Sequence, residues 1–214
     1  MSVVATLDVV ELDPHDYRTV LDHMAVETRP SPGIYLHVAT RTDNGMRITE
    51  LWDQEPGFRA FLLDRMIPAT QAVRVERETD IAVEPIFNLF APRLDEIPDL
   101  PARPGGVVTT LDVHGLTGEE YRALIDHLDV EKNPDPGIFL HICTPSAIGY
   151  RIVELWDAAK HFEAFLQRRL APATEELRID RRTDIAVHPI TNIFAPRLTE
   201  LPGLVPSLPG GPRS

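Results

Sequence analysis

Pro32-Gly33-Ile34-Tyr35-Leu36-His37 and Glu50-Leu51-Trp52-Asp53 return further along the chain as Pro136-Gly137-Ile138-Phe139-Leu140-His141 and Glu154-Leu155-Trp156-Asp157. The shift is a constant 104 residues, as from Trp52 to Trp156, and from Thr6 to Thr110 onward it needs no insertion or deletion. Phe90-Ala91-Pro92-Arg93-Leu94 answers Phe194-Ala195-Pro196-Arg197-Leu198 in the same way. Solenoid units repeat every 20–50 residues or so, and this period is too long for one. Each copy is therefore a small domain, and two such domains in one chain imitate a homodimer whose paired sites are free to diverge.

The sequence divides into a first repeat at 1–94, a Pro/Gly-rich linker at 95–106, a second repeat at 107–198 and a Pro-rich tail at 199–214. Proline favours extended conformations, so the linker is expected to be semi-rigid, and the tail, its counterpart at the free end, is expected to fray.

Val3–Val10 is rich in β-branched residues and predicts a strand. Asp13-Pro14 then offers a helix cap with proline at the first helical position. Tyr17, Val20, Leu21 and Met24 follow at i, i+3, i+4 and i+7, an apolar stripe on one helix face. In the second copy Thr117 and Glu120 have capping-box spacing ahead of Tyr121, Leu124, Ile125 and Leu128. Ile34–Thr40 and Met46–Trp52 predict strands joined at Asp43-Asn44-Gly45, a hairpin signal. Asp53 is expected to cap a second helix bearing Phe58, Phe61, Leu62 and Met66 and interrupted at Pro68. Ile81–Phe90 closes the repeat as a strand.

The order is β-α-β-β-α-β, an α+β fold of two tandem ferredoxin-like repeats. Both helices lie on one face of such a sheet, and the expected cover for the other face is the sheet of the other copy, packed sheet to sheet. Strict alternation would then place Tyr35 and His37 opposite Ile34, Leu36 and Val38. Giving the plainer aliphatic set to the helices leaves Asp8, Tyr35, His37, Glu50, Trp52, Glu84 and Asn88 on the wall of a cavity between sheets.

Composition limits the partners. A formal net charge of −12 argues against nucleic acid and anionic membrane surfaces, which need basic footprints. One cysteine, Cys143, excludes an intramolecular disulfide and a cysteine-cluster zinc site. No signal peptide or bilayer-spanning run is legible, so the default expectation is cytoplasmic. No glycine-rich nucleotide fingerprint appears, and no cofactor is expected.

The pattern Pro-Gly-Ile-x-Leu-His, then Glu-Leu-Trp-Asp, Phe-x-Ala-Phe-Leu and a closing Asn-x-Phe resembles the dimeric α+β barrel superfamily, and within it the antibiotic biosynthesis monooxygenase-like proteins. The resemblance covers nearly all of each copy outside the proline-rich segments. It implies an intrachain dimeric α+β barrel, with Trp52 and Trp156 lining a cavity and Asn88 and Asn192 at a polar fourth-strand position. His37 and His141 match a second-strand histidine found in a subset of relatives. Haem-degrading members carry an iron-ligating histidine on the helix after the tryptophan, where this chain has Phe61-Leu62 and Phe165-Leu166. They also have an Asn on the first strand, absent from both copies, so haem degradation is set aside. His161 lies at the start of that helix in the second copy, where the first has Gly57, and is not a clear substitute.

His37 and His141 are the candidate bases, with Glu50 and Glu154 as their orienting carboxylates. The plainer alternative is a buried hydrogen-bond network with no chemistry. Trp52, Trp156, Asn88, Asn192, Tyr35, Asp8, Asp112 and His188 are candidate substrate contacts. The copies differ at this wall: Val10, Tyr35 and Glu84 become His114, Phe139 and His188. A metal held by His114, His141, His188 and Glu154 is a weaker alternative, because these residues are spread over four strands. Three functions stay open: a cofactor-independent oxygenase of an aromatic polyketide-type molecule, a cyclase or isomerase without oxygen, and a non-catalytic binding protein. The expected partner is a small aromatic molecule, and the expected state is a monomer with an internal pseudo-dimer or a weak homodimer.

Overall fold

The computed structural model describes residues 1–211. Strands and helices follow the order β1 (Val3–Val10), α1 (Pro14–Met24), β2 (Ile34–Thr42), β3 (Gly45–Trp52), α2 (Glu55–Phe61), α3 (Ile67–Ala72), β4 (Thr79–Pro85) and β5 (Asn88–Phe90). The second repeat gives β6 (Val107–His114), α4 (Gly118–Leu128), β7 (Ile138–Ser146), β8 (Gly149–Trp156), α5 (Ala159–Phe165), α6 (Ala171–Glu176) and β9 (Thr183–Phe194). The fold is α+β, two ferredoxin-like repeats with antiparallel pairing throughout.

Local chemistry accounts for the elements. The Asp13 carboxylate accepts from the backbone N–H groups of His15 and Asp16, both at 2.8 Å, and Pro14 opens α1 with a fixed φ. Thr117 and Glu120 form the full capping box of α4. Ala25 and Asp129 end the two helices in the left-handed region, at φ 52° and 51°. Gly45 closes the β2–β3 hairpin with φ 151°, and a Cβ there would run into the Val9 carbonyl. Asp53 does not cap α2; Gln54 takes that position, without a side-chain bond. Nor does Pro68 stop the helix: a wide π-type turn at Leu62–Met66 carries α2 into α3 and absorbs the missing N–H.

The chain forms two compact units whose borders differ from those of the repeats. The first comprises Met1–Pro85 and Ile190–Leu201; the second comprises Ile86–Pro189 and the chain from Pro202 on. In the first unit the strands run β4-β1-β3-β2, followed by the end of β9, where His37 is opposite Phe194 and Ala39 opposite Asn192. In the second they run from the start of β9 through β6-β8-β7 to β5, where Asn88 is opposite Cys143 and Phe90 opposite His141. The last strand expected at Ile81–Phe90 is therefore two strands, broken at Ile86-Phe87, and its end serves the second unit.

In the tail, expected to fray, local structure continues up to residue 211. Short 3-10 turns form at Leu198–Gly203 and Val205–Ser207, and Gly210 N donates to Phe87 O at 2.7 Å. The rest of that expectation, residues 212–214, lies outside the described residues.

Each unit packs its helices onto one sheet face. In the first, Val3, Ala5, Leu7, Ala39, Met46, Ile48 and Trp52 meet Tyr17, Val20, Leu21, Phe58 and Phe61 in one core. In β2 and β3 this reverses the expected assignment of faces, whereas in β1 Val3, Ala5 and Leu7 face the helices and Asp8 does not. The plainer set of these two strands, Leu36, Val38 and Leu51, occupies the helix-free face and is also buried. Two causes are visible. A β-bulge between Ile34 and Leu36 breaks strict alternation, so that Ile34 shares the face of His37. The polar residues beside Trp52 are also bonded to a helix, which makes a mixed surface compatible with the helix side.

Candidate functional site

β2 and β3 place His37 opposite Glu50, two strands deep in the first unit. The two side chains are each 3% exposed, and His37 Nδ1 is 2.8 Å from Glu50 Oε1. The other carboxylate oxygen accepts from Trp52 Nε1 at 2.9 Å. From α1 the Tyr17 hydroxyl reaches His37 Nε2 at 2.8 Å, and Asn192 Nδ2 donates to that hydroxyl oxygen at 3.1 Å. Asn192 also donates to Glu27, whose carboxylate takes Arg18 at 2.9 Å. The Phe194 ring stacks on the imidazole at 4.4 Å.

Proton directions follow from the donor inventory. A carboxylate only accepts, so His37 donates from Nδ1; its Nε2 is then the acceptor for the Tyr17 O–H, whose oxygen receives the Asn192 N–H. Burial pushes the Tyr17 hydroxyl pKa well above its ordinary value, with the Asn192 hydrogen bond opposing it. At Glu27 burial pulls upward, but hydrogen bonds from Arg18 and Asn192 outweigh it and the carboxyl falls below its usual range.

The second unit repeats the core of the network, except that Arg122, the counterpart of Arg18, donates to the Pro209 carbonyl. His141 bonds Glu154 and Tyr121, each at 2.8 Å; Trp156 donates to Glu154 at 2.8 Å; Asn88 donates to Tyr121 at 3.1 Å and to Glu131 at 3.0 Å. Thr109, which replaces Ala5, adds a donor to Glu154 at 3.4 Å. Because the strand ends are exchanged, Asn192 belongs to the network of His37, and Asn88 to that of His141.

The two networks border unequal spaces. His37, Glu50 and Tyr17 line a cavity of about 370 Å³ in the first unit, walled by Leu7, Val20, Leu21, Met24, Phe61 and Met66. Ile67, Thr70, Glu76, Arg77, Thr79 and Ile81 also line it, and Ile67 and Ile81 are exposed. The space beside His141 in the second unit is about 40 Å³. The first falls within the usual range of small-molecule pockets and the second holds little more than water.

The other sequence candidates lie elsewhere. Asp8 and Asp112 are on the helix-free face, each bonded at 2.7 Å to an arginine, Arg47 or Arg151. Tyr35 sits in the bulge beneath the Arg197 guanidinium, 4.6 Å from its ring centroid, and Phe139 lies likewise under Arg93 at 4.0 Å. Glu84 and His188 pair in register with Val4 and Val108 on the helix-free face. Trp52 and Asn192 support the network from behind and do not line the cavity. The four-residue metal alternative is not assembled: His114 turns to Asp184 at 2.7 Å, and no group of three or more metal-ligating side chains occurs among the described residues. His161 bonds Asp157 at the surface. No described helix is long and apolar enough to cross a membrane.

Tyr17, Tyr121, Glu27 and Glu131 were not legible as site residues, because Tyr17 and Tyr121 fit the core stripe of their helices. The usable signal was a polar-tipped ring at the same place in two otherwise aliphatic stripes.

Neither a protein-family model nor a curated protein matches the chain. Solved structures do. A candidate monooxygenase from Lactobacillus acidophilus NCFM superposes with a TM-score of 0.67 at 8% identity, over 91% of this chain and 97% of its own. One from Fusobacterium nucleatum gives 0.68 at 10% identity, over 91% and 94%. An anthrone oxidase-like protein gives 0.54 at 14% identity, over 91% and 92%. The chain shares the fold of these proteins, with two ferredoxin-like repeats in one polypeptide.

Proposed function

We propose that the first unit binds a small aromatic molecule with an acidic proton, of the phenol or anthrone class, and promotes its cofactor-independent oxygenation. His37 carries this reading: it is buried at the wall of an apolar cavity with both ring nitrogens engaged, one by a carboxylate and one by a hydroxyl that also borders the cavity. The ligand's acidic group hydrogen-bonds the Tyr17 oxygen. As the ligand proton passes to that oxygen, the Tyr17 proton moves to His37 Nε2, and Glu50 stabilises the imidazolium. Asn192 holds the tyrosine oxygen in place. The apolar walls exclude water from the ligand anion, which is electron-rich enough to reduce oxygen directly. For a methylene between two aryl rings, one O2 gives the ketone and one water. The names of the structural neighbours, monooxygenase and anthrone oxidase-like, agree with this chemistry.

The test is oxygen consumption by purified protein with anthrone and no added cofactor. Uptake above the spontaneous rate, with ketone formed in equal amount, is the expected result; product formation at full rate under strict anaerobiosis overturns it. A second reading, binding without turnover, draws support from the closed hydrogen-bonding of the network. Saturable anthrone binding with neither oxygen uptake nor solvent deuterium exchange would favour it, whereas deuterium exchange without oxygen uptake marks an isomerase or cyclase.

A further inference from the structure

Equivalent networks stand beside a cavity of about 370 Å³ in one unit and about 40 Å³ in the other. The catalytic-type residues are the same, so the difference comes from the walls. Val20 and Val75, which line the first cavity, are Leu124 and Ile179 in the second unit. Each change adds a methyl group's bulk to the wall. A carbon keeps other carbons about 3.5–4.0 Å away, so an added methyl removes more ligand space than its own volume. Met24 and Met66, flexible side chains on the first wall, are Leu128 and Leu170, which are branched and stiffer.

A further change lies behind the end of the cavity lined by Val9 and Leu12. Their counterparts are Val113 and Leu116, and Val113 pairs in register with Tyr150, where the first unit has Met46 opposite Val9. The Tyr150 ring packs against the second core and stacks on Tyr121 at 6.1 Å and 11°. Phe87 packs edge-on against both tyrosines, at 5.6 and 5.0 Å, and the Gly210 backbone holds its carbonyl.

We infer that ligand occupancy is confined to the first unit and is set by Val20, Val75 and Met46, while Leu124, Ile179 and Tyr150 make the second site a self-filled copy. This rests on the cavity being a ligand site, as proposed above, but not on turnover. The second network then serves stability, and its extra donor from Thr109 fits that role.

The experiment is calorimetric titration of the full chain with 2-naphthol, an aromatic probe with an acidic hydroxyl. The wild type is expected to take one equivalent. V20L/V75I should weaken that binding at least tenfold, and L124V/Y150M/I179V should admit a second equivalent while leaving the first unchanged. Thermal unfolding of each variant separates filling from misfolding. Should Y150M itself unfold the second unit, L124V/I179V is read instead, with a second, weaker equivalent expected. Two equivalents on the wild type, no binding at millimolar probe, or V20L/V75I binding within twofold of wild type would each overturn the inference. One-equivalent binding without oxygen uptake on anthrone would instead leave it standing and remove the oxygenase reading.

Discussion

The Tyr17 hydroxyl, carried by α1, stands 2.8 Å from Nε2 of His37 on β2, and so ties the helix layer to the sheet at the cavity wall. Tyr17→Phe removes one oxygen and leaves His37 Nε2 without its donor. An unsatisfied buried polar group costs about 1–3 kcal/mol, and that loss is expected in urea unfolding. If the proton path runs through this oxygen, kcat on anthrone should fall by about 10²-fold or more with a smaller change in KM. An unchanged kcat would remove Tyr17 from the path.

Glu50 accepts from two donors, His37 and Trp52. A glutamine can accept on its oxygen, but its amide would face the other N–H. Glu50→Gln is therefore expected to cost about 3 kcal/mol. It should also change the fluorescence of Trp52, one of only two tryptophans in the chain. A variant as stable as wild type with unaltered emission would show that the carboxylate is not required.

High pH tests the burial of the tyrosines. Burial raises the hydroxyl pKa of both Tyr17 and Tyr121 above the ordinary value of 10.0. The unfolded chain then releases protons that the native state retains, so this contribution is complete below about pH 10 and is lost as pH rises beyond it. Tyrosinate absorbance from these two residues should appear only together with loss of near-ultraviolet dichroism. Their ionisation in the intact fold, near pH 10, would refute the buried placement.

At the start of α4, Thr117→Ala removes half of the capping box and should cost about 1 kcal/mol, while Thr117→Ser should cost much less. Equal losses would mean that the cap is not what holds this turn.

The repeat, the order of strands along the chain and the starts of α1 and α4 were legible because each has a local cause: a hairpin glycine, a capping box, an apolar stripe. His37, Glu50 and Trp52 were legible as a group through their spacing in both copies. The facing of β2 and β3 was not, because a bulge at Tyr35 changes the parity of β2 and the Tyr17 partner of His37 lies on a distant helix, and neither leaves a mark in the residue pattern. Nor was the exchange of strand ends, since Asn88 and Asn192 look alike and only pairing partners distinguish them. Asp8 and Tyr35 looked like wall residues until Arg47 and Arg197, far away in sequence, supplied their partners. The inequality of the sites was present in the sequence as Val20 against Leu124, but one methyl group has meaning only beside a cavity.

The most direct measurement compares anthrone-dependent oxygen uptake by the wild type, His37→Ala and His141→Ala, each confirmed folded by dichroism. A cavity that works at His37 alone predicts uptake reduced to the spontaneous rate in His37→Ala and largely retained in His141→Ala. Equal rates in the two variants, or loss only in His141→Ala, would contradict it.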